Sequence, residues 1–102
     1  MDRVARLNEV LANNPNDTFA RYGLAMEYST AGNFELAMSQ FHQLLTRDPD
    51  YTAGYFMAAQ TLVRAARVQE AKQLLLGGIA AARRTGNAHA GSEMEAMLIE
   101  LS

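Results

Sequence analysis

The chain repeats itself at an interval of 34 residues, and this regularity limits its possible folds more than any other feature. "NNPNDTFARYGLAM" begins at residue 13 and "RDPDYTAGYFMAAQ" at residue 47, with Pro15 and Pro49 34 residues apart. The same offset pairs Thr18 with Thr52, Ala25 with Ala59, Ala31 with Ala65 and Ala37 with Ala71. Apolar character recurs as well, at Leu24 and Ala58, Tyr28 and Leu62, Phe34 and Val68, Phe41 and Leu75. A period in this range is the mark of an array of supersecondary units, each too small to bury its own apolar face.

Within each copy the apolar spacing is helical. Arg21, Leu24, Ala25 and Tyr28 fall on one face of a 3.6-residue helix. Asp17 or Asn16 is suited to cap its start, and Gly32 to end it in the left-handed conformation. Asn33 is the expected cap of a second helix, on which Ala37, Phe41, Leu44 and Leu45 share a side. Pro49 stops that helix, and Asp50 is the expected cap of the next. Each copy therefore reads as helix, short turn, helix.

These residues resemble the tetratricopeptide repeat, whose pattern is W-x2-L-G-x2-Y, then A-x3-F, then P. The first copy has Arg21, Leu24, Ala25 and Tyr28, then Ala37 and Phe41, then Pro49. The second has Tyr55, Ala58, Ala59 and Leu62, then Ala71 and Leu75, with Arg83 where the proline would fall. The expected repeat core is thus Leu24, Ala25, Tyr28, Ala37, Phe41, Ala58, Ala59, Leu62, Ala71 and Leu75. Small residues belong where two helices cross, because a larger side chain would force them apart. Arg21 stands where the family prefers Trp, and its aliphatic stem is expected to cover apolar surface while the guanidinium reaches water. Ala66 and Arg67 replace Gly32 and Asn33, which gives the second copy a poorer helix stop. Gly77 and Gly78 interrupt a helix and mark either a close approach of another helix or a hinge.

The ends extend the array. Residues 2–14, with Val4, Leu7 and Leu11 on one face, fit the second helix of a half-repeat. Repeat one spans 18–51 and repeat two 52–85. Gly86 and Asn87 precede an amphipathic segment, 87–101, in which Ala90, Met94, Met97, Leu98 and Leu101 oppose Glu93, Glu95 and Glu100. It lacks the repeat signature and reads as a capping helix. The expected fold is all-α: one domain, a right-handed α-solenoid of six helices.

Little in the sequence supports catalysis. Cysteine is absent, which excludes disulfides, thiolate metal sites and cysteine nucleophiles. His42 and His89 lie in different copies, and His89 with Glu93 forms an ordinary helix-surface pair. No phosphate-cradling loop or His–x–x–x–His pattern occurs. No enzyme activity, metal or cofactor is expected. A net charge of −2 argues against general nucleic-acid affinity. No run approaches the ~20 apolar residues of a membrane span, and the start does not read as a signal peptide, so the expected location is cytoplasmic. Charge is uneven: residues 51–92 hold Arg64, Arg67, Lys72, Arg83 and Arg84 against Glu70 alone. That asymmetry fits solvated helix faces or a docking patch for an acidic partner.

The candidate functional residues are apolar ones that the hairpin core leaves over. Phe19, Tyr22 and Met26 form a second stripe on the first full-copy helix, matched by Phe56, Gln60 and Arg64 on its counterpart. The family resemblance implies that these faces line the concave side, where partner segments bind. Met94 and Met97 are expected to extend that lining. These residues fit packing as well as recognition, and Phe19 has residues 2–13 available to pack against. Family members that grip a C-terminal carboxylate use Lys and Asn on these faces, which Tyr22, Met26, Phe56 and Gln60 do not supply. The expected function is a protein-interaction adaptor or scaffold that receives an apolar or mixed peptide or helix, with any acidic end near Arg64. Homodimerisation through a solenoid end is the alternative.

Overall fold

Six helices account for nearly all of residues 2–102, which the computed structural model describes: α1 (Arg3–Asn13), α2 (Thr18–Thr30), α3 (Phe34–Arg47), α4 (Thr52–Arg64), α5 (Val68–Thr85) and α6 (Ala88–Leu101). Local chemistry sets several of the boundaries. The carboxylates of Asp2 and Asp17 accept the Ala5 and Ala20 amides at 2.8 and 2.9 Å, and the Asn87 side chain accepts that of Ala90 at 3.1 Å. Each satisfies a donor that the first helical turn leaves free.

One loop design ends three helices. After α2, α4 and α5 the chain enters the left-handed region at Gly32 (φ 81°), Ala66 (φ 61°) and Gly86 (φ 69°). The following amides of Asn33, Arg67 and Asn87 then donate to Tyr28, Leu62 and Ala82 carbonyls at 2.9, 2.8 and 2.9 Å. This is the Schellman arrangement. Ala66 adopts it although it carries a Cβ, so the poorer stop expected there is a strained residue and not a lost turn.

Two expected side-chain caps do not form. Asn33 sits at the cap position of α3 without a side-chain bond, and Tyr51, not Asp50, occupies that of α4. Asp50 instead accepts from Arg84 Nε on α5 at 2.9 Å. A long-range guanidinium partner takes the carboxylate that local sequence reserved for the cap.

Helices pack in sequence, each on its neighbour, and α2 also touches α4 as α4 touches α6. Among the described residues the backbones of α1 and α3, and of α3 and α5, make no such close approach. The row α2–α4–α6 is therefore drawn together while α1–α3–α5 fans outward, and the first row forms the inner face. The main core gathers Ala25, Ala37, Phe41, Ala58, Ala59, Leu62, Ala71 and Leu75, all essentially inaccessible, with Met38, Leu44 and Ile79. Leu24 joins Leu11 and Ala20 in a smaller cluster beneath Val4 and Leu7 of α1. Tyr28 is half-buried and packs against both clusters.

The two glycines of α5 allow a close crossing. A Cβ on Gly78 would clash with the Met94 sulfur and lie 2.7 Å from Tyr55 Cβ, while one on Gly77 would meet the Tyr55 ring at 3.0 Å. Three helices thus converge on Gly78, which favours close approach over a hinge.

Helix α5 runs for 18 residues where α3 has 14. Pro49 stops the chain after α3, but Arg83 stands at the equivalent place and lets α5 continue to Gly86. The next helix therefore starts 36 residues after α4, two later than a strict repeat. That small shift decides the register of α6.

Candidate interaction surface

The register shift brings Met94 to the place held by Leu24 and Ala58 in the earlier inner helices. Met94 is accordingly 1% exposed, pressed onto Gly78 and Tyr55. It is a core residue, and it meets the inner face only as the floor of a small hollow between α4 and α6. Met94 therefore contributes to the expected lining from beneath and not as an accessible side chain.

The other candidates divide by environment. Phe19 projects from the first turn of α2 at 76% exposed, so it does not pack into α1. Tyr22 is half-buried, with its ring edge-on to Phe41 at 6.5 Å and tilted against Tyr51 at 5.4 Å. Burial first, and Tyr51 beside it second, push the Tyr22 hydroxyl above its ordinary pKa. Met26 is half-buried against the main core. Phe56, Gln60 and Met97 are half-buried as well.

Phe56, Gln60 and Met97 line one open groove of about 330 Å³ between α4 and α6, with Glu93, Ala96 and Glu100. It continues past Phe56 and Glu93 into a smaller hollow of about 170 Å³ beside Thr52, Ala53 and Ala90, with Met94 at its floor. At the groove Glu93 stands where α4 has Met57, a residue half-buried in the main cluster. Sequence reasoning missed Glu93, Ala96 and Glu100 as groove residues. An offset of 36, which places them beside Met57, Gln60 and Arg64, is the signal that finds them.

Arg64 is committed to the fold. Its Nη1 donates to Ser29 Oγ at 3.0 Å and its Nη2 to the Ser29 carbonyl at 2.7 Å, while Cζ lies 5.4 Å over the Phe34 ring. A cation at the C-terminus of α2 complements the helix dipole, and the aromatic face adds to it. Ser29 in turn shares a buried 2.7 Å hydrogen bond with Thr61.

The other arginines of the second copy are similarly occupied. Arg67 bonds Glu35 at 2.6 Å and also Glu70, Arg84 pairs with Asp50 at 2.8 Å, and Arg83 lies 3.8 Å from Glu95. Arg67, Arg83 and Arg84 thus meet carboxylates of the flanking segments, while Arg64 bonds Ser29 and Lys72 makes no ion pair among the described residues. The four arginines are therefore not a free patch for an acidic partner.

A further cleft of about 340 Å³ opens beside the α5–α6 turn, around Ile79, Gly91 and the Arg83–Glu95 pair. It has no aromatic or methionine side chain to hold an apolar anchor. The α4–α6 groove combines Phe56 and Met97 with open access and is the better candidate.

Comparison with known proteins agrees with this architecture. The family model for the tetratricopeptide repeat matches residues 28–92, more than half of the chain. The chain is 30% identical over 95 residues to the TPR repeat-containing protein PA0015 of Pseudomonas aeruginosa, covering 93% of this chain and 90% of that one. The solution structure of a tetratricopeptide repeat domain protein from Salinibacter ruber is similar at a TM-score of 0.81 and 30% identity, covering 87% of this chain and 90% of that one. Protein BPP2914 of Bordetella parapertussis gives 0.84 at 25% identity, over 99% of this chain and 88% of that one. The type III secretion translocator chaperone SycD of Yersinia enterocolitica shares the fold at 0.86 with 16% identity, over 96% of this chain and 75% of that one.

The chain belongs to the tetratricopeptide repeat family. Its members are generally non-catalytic modules of protein–protein interaction. Among the described residues no helix is long and apolar enough to cross a membrane.

Proposed function

We propose that this chain is an adaptor or scaffold that receives a peptide or helical segment of a partner protein on its inner face, chiefly along the α4–α6 groove. The observation that carries the reading is the pair Phe56 and Met97, apolar side chains left half-covered on facing helices in an open groove. An aromatic edge with an adaptable methionine beside it suits an apolar anchor. Phe19, Tyr22 and Met26 continue the same face on α2, with Phe19 the most accessible of them. The cytoplasm is the proposed location, in keeping with a chain free of cysteine.

The test is co-purification from the native host with Phe56→Glu as the comparison. Phe56→Glu is expected to keep its helical circular dichroism and lose partners that the wild type retains. Retention of the same partners by a folded Phe56→Glu protein contradicts the reading.

Self-association through an end of the solenoid is the second reading. Ile99 favours it, standing 74% exposed on α6. The outward side of α1 gives it less support, since Arg6, Asn8, Glu9 and Asn13 accompany Val10 there. Light scattering across a wide concentration range, with Ile99→Asp as the control, separates a dimer from a monomer.

A further inference from the structure

The carboxylates of α6 define the chemistry that suits the groove, and we propose that its partner segment is both basic and apolar. An aliphatic anchor sits between Phe56 and Met97, and Lys or Arg side chains flanking it reach Glu93 and Glu100. The inference rests on the groove reading above and adds the partner's charge to it.

Three observations lead there. First, no Lys or Arg lines the groove or the hollow continuing from it among the described residues, whereas Glu93 and Glu100 both do. Second, neither carboxylate has a permanent counter-charge. Glu93 lies 3.0 Å from His89 Nε2, an ion pair only when the imidazole is protonated, and Glu100 makes no ion pair among the described residues. Third, nearby cations are engaged elsewhere, Arg64 on Ser29 and Arg83 near Glu95.

The contrast with α4 sharpens the point. At the places of Glu93 and Glu100, α4 carries Met57 and Arg64, which pack against the core and bond to α2. In α6 the same two places carry carboxylates with no Lys or Arg paired to them. Two uncompensated carboxylates beside an apolar floor favour a cationic, apolar segment and repel an acidic one.

Amide chemical-shift mapping by NMR with synthetic peptides of about twelve residues, long enough for up to three helical turns, tests this. One peptide carries Leu at helical spacing (i, i+3, i+4, i+7) with Lys elsewhere, a second Leu at the same places with Glu, and a third Ser at those places with Lys. The Leu–Lys peptide is expected to shift residues 56–60 and 93–100. Its affinity is expected to fall about five-fold in the Glu93→Gln/Glu100→Gln double variant, the scale of two exposed ion pairs. It is also expected to weaken as salt rises from roughly 0.05 to 0.5 M. Both substitutions are at exposed positions, and circular dichroism checks that α6 remains folded.

Equal or tighter binding of the Leu–Glu peptide in the groove overturns the charge inference and leaves the groove reading standing. Unchanged Leu–Lys affinity in the double variant does the same. Equal binding of the Ser–Lys peptide overturns the apolar anchor. If neither leucine peptide shifts the groove, the groove reading falls and the inference falls with it.

Discussion

Arg21 and Tyr55 stand at equivalent places in the two repeats, and each donates a hydrogen bond to the carbonyl of the proline six residues before it. Arg21 Nη2 reaches Pro15 at 3.0 Å, and the Tyr55 hydroxyl reaches Pro49 at 2.7 Å. Two unlike side chains thus tie the same loop to the same helix. Arg21 adds bonds from Nη1 to Gln40 and Gln43 at 2.7 and 3.0 Å, which fasten α2 to α3. The position where the family prefers a large aromatic is served here by a guanidinium acting through hydrogen bonds as well as its stem. Tyr55→Phe is expected to cost about 0.5–1.5 kcal/mol in urea unfolding, and Arg21→Met more than that, because three acceptors lose their donor.

Ala66 invites a stabilising change. An L-residue pays roughly 1–2 kcal/mol in the left-handed region, which glycine enters freely. Ala66→Gly is expected to stabilise the fold by about 1 kcal/mol, a rise in melting temperature of roughly 4–8 °C for a domain of this size. Gly32→Ala, which imposes the same strain on the first repeat, is expected to destabilise by a similar amount.

Gly77 and Gly78 differ although they are neighbours. Alanine gains roughly 1 kcal/mol over glycine from helix propensity. At Gly78 that gain is outweighed, since the new methyl group would overlap Met94 and Tyr55 Cβ, and Gly78→Ala is expected to lose about 1–3 kcal/mol net. At Gly77 only the edge of the Tyr55 ring is met, so Gly77→Ala is expected to be near neutral by thermal melting.

Glu70 reports on its ion pair with Arg67, the guanidinium that also reaches Glu35 of the first repeat. Its hydrogen bonds from Arg67 hold its pKa below the ordinary carboxylate value, with the charge of Arg67 and the nearness of His42 acting in the same direction. A carboxyl held low in the folded state adds stability above its unfolded pKa, and that contribution fades as pH falls through the folded value. NMR titration of Arg67→Gln is expected to return Glu70 toward its ordinary value and to flatten the pH dependence of stability in that acid range. An unchanged Glu70 titration contradicts the assignment.

The hairpins were legible in the sequence because helix crossing imposes size limits that recur with the period. Ala25, Ala37, Ala59 and Ala71 mark the crossings directly, and each is inaccessible in the fold. Gly32 and Gly86 were legible for a backbone reason. What the sequence concealed depends on partners far along the chain. Asp50 has the local chemistry of a cap, but Arg84, 34 residues on, takes its carboxylate. Arg64 reads as a free cation on a concave face until Ser29 and Phe34 are brought to it. A two-residue change of register, set by the missing proline at Arg83, draws Met94 into the buried floor and hid Glu93, Ala96 and Glu100 as neighbours of Phe56.

The most direct test of a partner site on the inner face is photo-crosslinking in the native host. A benzoylphenylalanine at Gln60 in the α4–α6 groove is compared with one at Ser39, exposed on α3 of the outer row. The account predicts discrete protein adducts from position 60, lost on adding Phe56→Glu, and none from position 39. Adducts from position 39 alone, or adducts at 60 that survive Phe56→Glu in a folded protein, contradict it.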